Sequence, residues 1–156
     1  MHRYGASVLT EGRGPGGGRL SSALIWGLNV HDHGAGHDHG EPGAPPASPH
    51  HASNSVLAET NLEIGTRSAL FGRAERVQKS GQDLGFQGGD LTTLYDIRSI
   101  VIGITRTVAT VGRFGLALGA RGSVDFIPAT LELTYGATTP VGFAVYAKVR
   151  PGGRGR

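Results

Sequence analysis

The chain has 156 residues, 38% of them hydrophobic and 17% charged, with a formal net charge of +3 and no cysteine. The cysteine count excludes a disulfide scaffold, thiolate metal ligands and Cys nucleophiles, and no apolar run approaches the roughly 18 residues of a spanning helix. The basic balance does not point to nucleic acid, because the Arg residues are spread along alternating segments, cluster only at Arg150, Arg154 and Arg156, and come with no basic helix or RNP-like aromatic motif.

Residues 3–11 alternate weakly, with Tyr4, Ala6 and Val8 against Arg3, Gly5 and Ser7, and the Gly-rich stretch 12–18 predicts a short turn. Residues 19–30 alternate well, setting Leu20, Ser22, Leu24, Trp26 and Leu28 against Arg19, Ser21, Ala23, Ile25 and Gly27. Residues 31–53 hold six of the seven His together with Pro42, Pro45, Pro46 and Pro49 and almost nothing apolar, which predicts a long loop. In 55–64, Val56, Ala58, Thr60, Leu62 and Ile64 oppose Leu57, Glu59, Asn61 and Glu63, and Gly65-Thr66-Arg67 turns the chain. In 68–79, Phe71, Arg73, Glu75 and Lys79 share one face, and Leu70, Gly72, Ala74 and Arg76 the other. A second long loop is predicted over 80–92. A strand over 93–108 then sets Ile100, Ile102 and Ile104 against Ser99, Val101, Gly103 and Thr105, and a tight turn follows at Ala109–Gly112. The longest alternation, 113–126, puts Phe114, Leu116, Leu118, Ala120, Gly122, Val124 and Phe126 opposite Arg113, Gly115, Ala117, Gly119, Arg121, Ser123 and Asp125. A third long connection, 127–139, leads into 140–149, where Val141, Phe143, Val145, Ala147 and Val149 alternate with Gly142, Ala144, Tyr146 and Lys148.

A period of two is the signature of a strand with unlike faces, and a strand crossing lipid at a tilt needs about 9 to 11 residues, apolar outside and polar inside. The whole chain, 1–156, is thus expected to be one all-β unit, an antiparallel meander of about seven long strands forming part of an outer-membrane β-barrel. Short and long connections alternate, as the periplasmic turns and outer loops of such barrels do. Seven is odd where bacterial barrels are even, and Met1-His2-Arg3-Tyr4-Gly5 lacks the apolar core of an export signal, so a fragment lacking N-terminal strands of a parent barrel is expected. Alternation alone also fits a soluble periplasmic barrel or sandwich that binds a metal or small ligand, with the Ile/Leu/Phe face turned inward.

From about Leu20 onward the chain resembles the C-terminal part of uncharacterised, porin-like outer-membrane β-barrel proteins of proteobacteria. The resemblance is carried by Ser22–Gly27 ahead of the His-rich segment, by Glu59–Glu63, by Leu70–Lys79 and by Thr139–Pro151. It implies a passive-transport or structural surface role, with outer-membrane lipid and the barrel-assembly machinery as partners. The chain departs from those proteins at its end, where Pro151-Gly-Gly-Arg-Gly-Arg156 replaces the terminal Phe or Trp of their assembly signal.

Two sets of residues are candidate sites. His31-Asp32-His33 and His37-Asp38-His39, followed by His50-His51, form a tandem pattern, and two imidazoles at i and i+2 of an extended chain share a side. Imidazole suits Zn, Cu or Ni, so this loop is a candidate metal-attracting segment. The second set is the polar face: Arg19, Glu59, Glu63, Arg73, Glu75, Lys79, Arg121, Asp125, Lys148 and Arg150. In a wide barrel these would line an aqueous lumen and bias its ion selectivity, whereas in a narrow one they would neutralise one another. No G-x-S-x-G, H-E-x-x-H or P-loop is present, so an enzyme is not expected. Trp26, Phe114, Phe126, Tyr135 and Phe143 are expected as lipid-facing or interfacial aromatics.

Overall fold

The computed structural model describes residues 2–31, 51–86 and 93–151, and in it the alternating segments form one antiparallel sheet. Its strands are β1 (His2–Arg13), β2 (Arg19–His31), β3 (His51–Ile64), β4 (Ser68–Ser80), β5 (Leu94–Val111), β6 (Phe114–Phe126) and β7 (Val141–Pro151). They hydrogen-bond strictly in chain order, so the expected seven-stranded meander is present. The sheet is not closed into a barrel. β1 pairs only with β2, and β7 only with β6. The shortest strand has 11 residues and the longest 18, each enough to cross a bilayer at a tilt.

Register converts the alternation of each strand into two continuous faces. Val8, Leu24, Ala58, Ala74, Ile100, Val124 and Val141 lie in one line across all seven strands. One residue further along each strand, Leu9, Ala23, Glu59, Arg73, Val101, Ser123 and Gly142 lie in line on the opposite face. A one-residue slip anywhere would exchange the two sets, so a single register keeps the sheet two-sided.

The sequence placed several boundaries too conservatively. β2 and β3 extend beyond their last apolar residues until His31 and His51 stand as register partners, so these two belong to strands rather than to the predicted 31–53 loop. Backbone pairing, which needs no apolar side chain, carries the ladder that far. β1 likewise runs on to Arg13, which shortens the first turn to residues 14–18. The predicted turn at Ala109–Gly112 is also displaced: a bulge between Thr107 and Ala109 absorbs one residue, Ala109 and Val111 pair with Leu116 and Phe114, and the turn shrinks to Gly112-Arg113. Gly112 has φ 57° and no non-glycine residue among the described residues has positive φ, as in a type II′ two-residue hairpin. Residues 127–140 hold a 3-10 turn, Ala129–Leu131, and a one-turn helix, α1 (Glu132–Tyr135), where only an irregular connection was predicted. Gly136 closes that helix at φ 79°, donating its N–H to the Glu132 carbonyl at 2.7 Å.

Meander topology places every short turn, 14–18, 65–67 and 112–113, at one end of the sheet. The connections 32–50, 81–93 and 127–140 join the strands at the other end. The predicted asymmetry of connection lengths is thereby present.

Candidate functional site

All ten charged residues singled out on the polar side fall on one face of the sheet. Arg19 lies opposite Arg13, Glu59 opposite Arg73, Glu75 and Asp125 each opposite Ser99 from its two sides, and Arg121 opposite Gly103 and Ala144. Glu63, Lys79, Lys148 and Arg150 share that face through their partners Ala69, Tyr95, Ala117 and Gly115. The face is the recessed side of the sheet. A hollow of about 590 Å³ is bordered by Glu11 of β1, floored by Glu59, Arg73 and Glu75, and bordered again by Arg121 of β6. Exposure shows the direction of curl: along β5, Gly103 and Thr105 on this face are buried, whereas Ile100, Ile102 and Ile104 on the other face are exposed.

Curvature and side-chain size divide the exposure between the faces. On the polar face Thr105 is 8% and Ala117 1% exposed, whereas on the apolar face Ile102 is 60%, Leu118 50% and Phe143 76% exposed. Among the described residues only Ala117 and Leu131 are buried hydrophobics, so the single sheet encloses no apolar core. The apolar face has an open depression of about 630 Å³, where Ala58, Gly72 and Ala74 sit between Leu24 and Ile100. Two hydroxyls that border it, Ser22 and Thr60, hydrogen-bond side chain to side chain at 3.0 Å.

Among the described residues, the ion pairs of the polar face all lie on β1–β4, where Arg13, Glu63 and Lys79 take part in none of them. On β1–β4, Arg19 meets Glu11 at 2.7 Å, which offsets the like charge of Arg13 directly opposite. Arg73 bridges Glu59 at 3.3 Å across the strand pair and Glu75 at 2.8 Å along its own strand. These side chains are 31–45% exposed, so each pair contributes at most about 1 kcal/mol and serves mainly to orient the carboxylates. On β6 and β7, Arg121, Lys148 and Arg150 take part in none of the ion pairs or hydrogen bonds of the described residues.

Two aromatic rings, whose role the sequence did not disclose, cover part of the β5–β7 half of this face. Phe71 of β4 lies over Gly103 of β5, where an added Cβ would sit 2.2 Å from the ring. Tyr146 of β7 lies over Gly119 of β6, 2.5 Å from the position of an added Cβ. Its hydroxyl reaches Thr105 Oγ1, two strands away, at 2.7 Å. The sequence signal is a glycine opposite an aromatic residue, visible only once register is known.

Among the described residues of the strands, the Asp, Glu, Lys and Arg side chains of the apolar face flank its middle. Arg76, Asp96 and Arg98 form one cluster on the apolar face towards the long connections, with Asp96 accepting from Arg76 and, at 3.3 Å, from Arg98. Arg106 stands towards the short turns, and Ile100, Ile102 and Ile104 lie between the two.

Of the metal-ligand candidates, the described residues bring together one pair. His31 and His51 are register partners, while His33, His37, His39 and His50 lie outside the described residues. No group of three or more His, Cys, Asp or Glu suited to a metal ion occurs among the described residues. No protein-family model, curated protein or solved structure matches the chain.

Proposed function

We propose that this chain forms a section of the wall of an outer-membrane β-barrel that passes polar solutes or serves as a structural surface protein. The observation that carries the reading is the inside-out distribution of side chains: Ile102, Leu118, Phe143 and their neighbours are open to the surroundings, while charges line the recessed face. In water that apolar face would be a severe aggregation liability, whereas in hydrocarbon it is the favoured surface. The dimensions are compatible. Phe114 and Phe126, at the two ends of β6, are about 40 Å apart along an extended strand, or about 28 Å in height at a 45° tilt, against an apolar band of about 25 Å flanked by aromatics. Long connections would then face outward and short turns the periplasm.

The unpaired edges of β1 and β7 need covering in lipid, because an open edge leaves backbone groups without partners there. Since β1 and β7 run in the same direction, antiparallel closure requires an odd number of further strands, which fits the even strand counts of bacterial barrels. The membrane reading is tested by vesicle flotation of the refolded 156-residue chain. It should migrate with the lipid fraction after alkaline carbonate washing and show β-sheet circular dichroism there. A folded, monomeric β protein that stays in the aqueous fraction would instead support a soluble binding protein.

A further inference from the structure

We propose that the β5–β7 half of the polar face is a binding site for small organic anions bearing a carboxylate or phosphate, held by Arg121, Lys148 and Arg150 beside the rings of Phe71 and Tyr146. The inference deepens the transport reading and rests on it for the site's place in a lumen, though not for its chemistry. These five residues border one hollow of about 520 Å³, a size suited to a small ring-bearing solute. No carboxylate borders that hollow, whereas Glu11, Glu59 and Glu75 all border its larger neighbour. Arg121 stands at the junction of the two.

Three observations favour a ligand over mere solvation. The first is that all three cations are without an ion-pair partner among the described residues: Asp125, the nearest acid along β6, is four residues and about 13 Å from Arg121, and Glu59 and Glu75, which share the larger hollow with Arg121, pair with Arg73 instead. Glu63 borders only the adjoining hollow, where Arg67 and Arg150 outnumber it. The second is the contrast with Arg19 and Arg73, which the same face supplies with partners at 2.7–3.3 Å. The third is preorganisation. Tyr146 is held against Gly119 by its 2.7 Å bond to the buried Thr105, and Phe71 is seated against Gly103, so two rings are fixed beside the cations. Guanidinium groups bind carboxylate or phosphate in a bidentate manner, and the rings offer the organic part of the solute an apolar contact.

The test is equilibrium dialysis of radiolabelled benzoate against the 156-residue chain reconstituted in zwitterionic lipid vesicles at low salt, with inorganic phosphate as competitor. We expect saturable benzoate binding, displaced by phosphate and weakened by added NaCl. It should fall at least about tenfold in the triple variant Arg121→Gln, Lys148→Gln, Arg150→Gln and remain unchanged in Arg19→Gln. Lys148→Gln alone, a milder change with circular dichroism as the folding check, should weaken binding about threefold or more. Failure of the wild type to bind benzoate, or equal binding by Lys148→Gln and the wild type, overturns the site. Flotation of the same samples separates the two ideas. Protein that floats but does not bind refutes the anion site alone, whereas protein that stays in the aqueous fraction yet binds and loses benzoate as expected refutes the membrane reading alone.

Discussion

Tyr146 shows how little of the polar face is decided by hydropathy and how much by a missing methyl group. Its ring occupies the space a Cβ at Gly119 would need, and from there its hydroxyl reaches Thr105. In Gly119→Ala the ring must move and the hydrogen bond is lost, so that variant and Tyr146→Phe should each cost about 1 kcal/mol, and the double variant well under their sum. Urea titrations of the four proteins in detergent give the coupling directly; full additivity would mean that the ring does not depend on Gly119. At Leu118 and Ser123 the facing was legible from alternation alone. If the apolar face meets lipid, Leu118→Arg should destabilise the inserted state by about 2–4 kcal/mol and Ser123→Arg far less. Equal unfolding midpoints for the two in vesicles would refute that orientation. The rings over Gly103 and Gly119 were not legible, because alternation names the face of a residue but not its neighbour on the next strand.

The element boundaries show where side-chain patterning stops being informative. A strand ends where its ladder ends, and the β2–β3 ladder runs past Val30 and Ala52 to His31 and His51, residues that composition assigns to a loop. β5 ran further than predicted because its bulge at Thr107/Ala109 breaks the period of two while the pairing continues. Arg76, which made 68–79 look only partly amphipathic, is accommodated on the apolar face by Asp96, in the half of the sheet towards the long connections. The short helix α1 was invisible because a single turn has no periodicity to read. For the His-rich segment the prediction comes from sequence: replacing His31, His33, His37 and His39 together by Ala should abolish calorimetric Zn, Cu or Ni binding and leave the strand circular dichroism unchanged. An unaltered isotherm would move any metal affinity elsewhere.

At the scale of the molecule, alternation and turn spacing were sufficient to predict seven strands in an antiparallel meander, because each hairpin is local and its pairing follows chain order. What alternation could not supply was curvature, since the same two faces could have enclosed the apolar side. The central claim is that the apolar face meets lipid and the recessed polar face meets water. It is tested most directly on β6 in a chain with no native cysteine, by single Cys substitutions at each position from Leu116 to Val124, spin-labelled after reconstitution in vesicles. Collision with lipid-soluble oxygen should peak at 116, 118, 120, 122 and 124, and collision with a water-soluble nickel chelate at 121 and 123, with 117, which is buried, and 119, where Tyr146 fills the space, low in both. The opposite phase, or accessibility with no period of two, would contradict the account.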